Sequence, residues 1–103
     1  MNLYTVIMSF SDHRQGIGQY EVESPLDALK TFIKESEALK GFDREKLLAS
    51  IQPGPFIHLK KHKGFWIALF NPEVLLELSN SDGDKALGAH VVQSDPNGPE
   101  RSA

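Results

Sequence analysis

Apolar and polar positions alternate with a period of two over residues 3–10, where Tyr4, Val6, Met8 and Phe10 share one side and Leu3, Thr5, Ile7 and Ser9 the other. β-Branched and aromatic types dominate the run, and apolar groups on both sides predict an interior strand. The polar stretch from Ser11 to Gly16 then reverses the chain into a second strand at about 17–23. There Tyr20 and Val22 point one way and Gln19, Glu21 and Glu23 the other, as in a strand with one wet face.

At Ser24 the period changes to about 3.6. Ser24 as N-cap, Pro25 in the first helical position and Asp27 in the first turn announce a helix. Its stripe of Leu26, Leu29, Phe32, Ile33 and Ser36 continues to Leu39 or Lys40, with Gly41 in the place of a C-cap glycine. Asp43 caps a second, shorter helix through about Ser50, and Gln52-Pro53-Gly54-Pro55 ends it. Residues 56–61 and 65–70 read as the arms of a hairpin around His62-Lys63-Gly64, and the second arm, apolar on both sides, is predicted to lie centrally. Asn71-Pro72-Glu73 opens a third helix to about Leu78; a turn-rich loop over 79–84 leads to a last short edge strand at Ala89-His90-Val91-Val92. The composition of 94–103 cannot offset its ordering entropy, so a disordered polar tail is predicted there.

These elements predict an α+β domain over residues 1–93, with an antiparallel or mixed sheet of about four strands and helices packed mainly on one face. A chain of 103 residues is one domain, and with no cysteine it excludes disulfides, thiolate metal sites and a cysteine nucleophile. No leader-like start and no bilayer-length apolar run is present, which predicts a cytoplasmic protein without membrane contact. The opening Tyr4-Thr5-Val6, followed by a strand and then Ser24-Pro25 with Ala28-Leu29, resembles the HicB-type antitoxin family, where a strand pair leads into such a helix. The resemblance covers about a third of the chain, which lacks the glycine and cysteine hairpin of that family; no residue role is carried over.

The net charge of −3 argues against non-specific binding to nucleic acid, yet it hides a local excess of base. Lys60, Lys61 and Lys63 lie between Pro53 and Glu73 without an acid among them, giving the hairpin +3 and the rest of the chain −6. His58 and Lys60 share a face with Phe56, so cations beside flat rings could hold single-stranded nucleic acid; as a plainer role, lysines at a hairpin tip keep a strand edge from pairing with another sheet. His13 and Arg14 would join this patch only if both turns lay at one end of the sheet. His58 and His62 are four apart, but on a strand entering a turn that spacing is too long for one ion, so neither a metal site nor another cofactor is predicted. Asp82-Gly83-Asp84 lacks the ligand pattern of a calcium loop. Catalytic signals are equally thin: Gly16-Ile17-Gly18 precedes a strand, and His58 oriented by Glu21 or Glu23 is demanded by no spacing.

Phe65 and Trp66 must point to opposite faces, so one of them lies on the side away from the helices. A sheet shielded on one side and apolar on the other tends to associate. The predicted function is therefore a non-catalytic module that binds a protein partner or itself, with Tyr20, Phe56, Trp66, Phe70 and the Lys60, Lys61, Lys63 group as candidate contacts. The alternatives are a nucleic-acid-binding module using His58 to Lys63, and a small enzyme clamping an anionic substrate on that hairpin.

Overall fold

The computed structural model describes residues 1–58, 61 and 63–94. The period-two opening forms β1 (Asn2–Phe10), which turns through residues 11–14 into β2 (Gln15–Val22). Next come α1 (Pro25–Glu35), α2 (Arg44–Ala49), β3 (Ile51–His58), β4 (Phe65–Phe70), α3 (Pro72–Glu77) and β5 (Ala86–Gln93). The order matches the one predicted, and the class is α+β with an antiparallel sheet. The sheet has five strands rather than four, in the spatial order β2-β1-β5-β4-β3.

The helix starts follow their caps. Ser24 Oγ accepts from Asp27 N at 3.1 Å, Asp43 Oδ1 from Lys46 N at 3.1 Å, and Asn71 Oδ1 from Glu73 N at 3.0 Å. The end of α1 departs from expectation, because the helix stops at Glu35 instead of running to Lys40. Ser36 leaves the helix (φ −68°, ψ 133°) and its Oγ accepts from Ala38 N, starting a separate 3-10 turn over Glu37–Leu39. Ser36 thus behaves as a second N-cap, a role its short hydroxyl side chain favours over a helix interior. Gly41, at φ 88°, turns the chain after that 3-10 segment, where a side chain would be strained.

The last strand also differs from its prediction. β5 is no edge but the central strand, pairing with β1 from Tyr4↔Gln93 to Phe10↔Ala86 and with β4 through Phe65↔Val92, Trp66↔Val91 and Ile67↔His90. Its alanines carry weak strand preference, yet Ala86 and Ala89 are buried on the helix side, where their size suits a strand beneath a helix. β3 begins at Ile51, earlier than predicted; its ladder breaks across Pro53-Gly54-Pro55 and resumes at Phe56↔Ala68. Prolines are tolerated there because β3 is an edge.

All three helices lie on the side of the sheet that carries Tyr4, Val6, Met8 and Phe10, and these residues join Leu29, Phe32, Ile33, Leu47, Ala89 and Val91 in one core cluster. Gly16 lets the helical layer sit close, and Gly18 makes room for a ring of its own strand. A Cβ on Gly16 would stand 2.5 Å from Ala38 Cβ, and the ring of Tyr20 lies over Gly18. No helix among the described residues is long and apolar enough to cross a membrane. Lys60 and residues 95–103 of the predicted tail lie outside the described residues.

Candidate functional site: the uncovered sheet face

Strand register decides which side chains share a face. Tyr20 pairs with Tyr4, Phe56 with Ala68, His58 with Trp66 and Phe70 with Ile51, which puts Tyr20, Phe56, His58, Trp66 and Phe70 all on the helix side. Phe70 is buried, while Tyr20, Phe56 and Trp66 are half-buried against the core. Of the rings in question, Phe65 is the one on the side away from the helices.

His58 and Trp66 do come together, and Phe56 lies on the same face opposite Ala68. The His58 imidazole stacks on the indole with centroids 5.8 Å apart and planes at 13°, and the Tyr4 ring meets the same indole edge-on at 5.8 Å. Trp66 is thus held between two rings. Lys61 and Lys63 are exposed in the adjoining turn. Tyr20 stands apart on β2, where burial pushes its phenol up and the Glu35 carboxylate adds to the shift. The two turns lie at opposite ends of the sheet, since β2 leaves β1 beyond Phe10 whereas β4 begins opposite Val92, which itself pairs with Thr5. His13 and Arg14 therefore do not extend the basic patch. Glu21 and His58 sit on the two outermost strands and on opposite faces, so they cannot act as an acid–base pair.

The other face carries no helix and has an apolar row through its middle. That row crosses all five strands, because Ile17 pairs with Ile7, Ile7 with His90, His90 with Ile67, and Ile67 with Ile57. Four isoleucines thus flank a histidine on the central strand, two on either side. Ile17 is 63% exposed, Ile57 46% and Ile67 36%, and none of the row belongs to the core cluster. The next row is Gln19, Thr5, Val92 and Phe65, and the Phe65 ring lies 5.2 Å from that of His90. Sequence reasoning pointed to an apolar face but named the aromatics of the opposite one. The available signal was the odd-numbered set of the interior strands, Ile7, Phe65 and Ile67.

Elsewhere the polar groups are engaged locally. Arg14 Nε donates to Asp12 Oδ2 at 2.7 Å, and the guanidinium beside it holds the Asp12 carboxyl below its usual range. Asn80 Oδ1 accepts from both Asp82 N and Asp84 N at 2.9 Å, which organises the 79–84 loop from within. Among the described residues no group of three or more His, Asp or Glu side chains is placed to hold a metal ion. Comparison of the chain with family models, with curated proteins and with solved structures gave no match, so the likeness of the opening segment to HicB-type antitoxins is carried no further.

Proposed function

We propose that this protein is a self-associating module, and that two copies pair through the uncovered faces of their sheets. The observation that carries the reading is the Ile17, Ile7, His90, Ile67, Ile57 row, an apolar strip on the solvent side of a sheet whose other side has its own core. Removing such side chains from water is favourable, at roughly 25 cal/mol per Å² of apolar area.

A second copy fits this face better than the chain's own tail. Residues 95–103 offer no apolar side chain beyond two prolines and an alanine. A second sheet offers the same row, and aligned sheets pack with their inner side chains interdigitated. Charge agrees with this choice. Glu21 lies at the β2 edge of the face, while Lys61 and Lys63, in the turn between β4 and the edge strand β3, adjoin its opposite margin at the same end of the strands. A two-fold axis between the sheets and parallel to the strands sets each acidic edge against the basic edge of the other copy. Five strands about 4.8 Å apart make a face roughly 24 Å wide and about 20 Å tall, near the lower limit for a specific interface, so the pairing is concentration-dependent.

Sedimentation from about 1 to about 500 µM tests this: the weight-average mass should rise toward twice that of the chain, and Ile67→Glu or Ile17→Glu should hold it at one. A single-chain mass over the whole range would overturn the proposal.

A second reading rests on the His58–Trp66 stack beside Lys61 and Lys63, which offers an imidazole ring and cations to single-stranded nucleic acid. Titration of a labelled oligonucleotide at low and high salt separates the two readings, since phosphate contacts require affinity that falls steeply with salt.

A further inference from the structure

His90 is an unusual occupant of the central position in an apolar row. A valine or isoleucine there would complete the strip, whereas an imidazole adds a group that changes charge between pH 5 and 8. Resting on the self-association reading above, we infer that His90 makes that pairing pH-dependent, with two copies joined when the ring is neutral and separated when it is protonated.

The placement carries the inference. β5 is the middle strand of five, so His90 sits near the centre of the face both across and along the sheet. In any two-fold face-to-face packing centred on this row, His90 of one copy meets His90 of the other. Two imidazoliums in that position would repel each other and lose their water together, whereas neutral rings are tolerated there.

No described neighbour offsets the charge. From β1 the ring is faced by Thr5, Ile7 and Ser9, from β4 by Phe65 and Ile67, and along its own strand by Gly88 and Val92. None of these carries a charge. The charged groups near this face stand at its margins: Glu21 on β2, Lys61 and Lys63 in the β3–β4 turn, and the Asp12–Arg14 pair at the far end of β1. In a lone chain His90 is half-buried and still in reach of water. Dimerisation therefore disfavours up to two protons, one per copy, and linkage makes the dissociation constant rise as pH falls through the imidazole range.

Sedimentation of the wild-type chain, His90→Leu and His90→Gln at about pH 7.5 and about pH 5.5 tests this, the lower value being chosen to leave carboxylates ionised. The wild-type dissociation constant should rise about tenfold or more between the two, while both variants should pair equally well at each pH. A wild-type dimer of unchanged affinity, or a pH response that survives in both variants, overturns the role of His90 and leaves self-association standing. A wild-type chain that stays monomeric at the higher pH overturns the pairing itself and this inference with it. Circular dichroism at both pH values separates dissociation from unfolding, and loss of fold by the wild-type chain at the lower pH counts against the inference.

Discussion

Arg44 shows how much one side chain contributes where a helix ends early. Its Nη1 donates to Ile33 O at 3.1 Å, a carbonyl that the break at Ser36 deprives of its helical partner, and its Nη2 adds a second donor at 2.9 Å to Ser36 O, which also accepts from Leu39 N. Arg44→Met should destabilise the fold by about 1.5–3 kcal/mol in urea titrations, and Arg44→Lys should recover only part, because an ammonium lacks the fork that spans both carbonyls. Tyr20 governs the alkaline limit. Its phenol is held above the ordinary value of 10.0, first by burial and then by the Glu35 carboxylate. Well below pH 10.0 the ring is protonated whether the chain is folded or not; as pH approaches and passes that value the unfolded chain ionises first, so unfolding releases a proton and stability falls as pH rises until the folded phenol ionises too. Thermal melts from about pH 9 upward should therefore decline more steeply for the wild-type chain than for Tyr20→Phe. Neither residue role was legible beforehand: Arg44 answers backbone carbonyls, and Tyr20 meets a helix contributed by another part of the chain.

Elements were legible where a local signal controls them. Three helix starts follow from Ser24, Asp43 and Asn71, whose side chains act within three residues of themselves. Partnership was less visible: Ala86 to Gln93 has small residues and one bulge, and its central place depends on two hairpins far away in the chain. Alternation likewise sorted the side chains into two sets without saying which set the helices would take. Tyr20, Phe56 and Trp66 drew attention as large rings, yet the helices lie on their side of the sheet. Gly16 is a clearer case of a tertiary demand on a strand. With the Cβ of Ala38 only 2.5 Å from where its own would stand, Gly16→Ala must push the 3-10 turn away from β2. The expected cost is about 1–3 kcal/mol. Ala38→Gly in the same chain should return part of it, and a double-mutant cycle by urea denaturation should show favourable coupling; additive losses would contradict this packing account.

At the scale of the whole molecule, the two hairpins flank β5 like wings, and this arrangement gives the uncovered face its shape. Each wing supplies two isoleucines to the row through His90, so the apolar strip is nearly balanced about the centre, while the charges are not: Glu21 marks one edge and Lys61 and Lys63 adjoin the other. A balanced apolar strip accepts a second copy in more than one orientation, and the uneven edges select among them. Placing the two-fold axis parallel to the strands sets Glu21 of each copy against Lys61 and Lys63 of the other, at both margins of the pair. Glu21→Lys should then weaken the dimer by about two- to thirtyfold, because a rim pair contributes only about 0.2–1 kcal/mol and each change is felt twice. Combining Glu21→Lys with Lys61→Glu and Lys63→Glu restores opposite signs at both margins, so sedimentation should return the affinity toward that of the wild-type chain. The loss should shrink in about 0.5 M salt, where screening extends over only a few ångströms. If the reversed chain instead pairs as poorly as Glu21→Lys alone, the two edges do not meet and the axis must run in another direction.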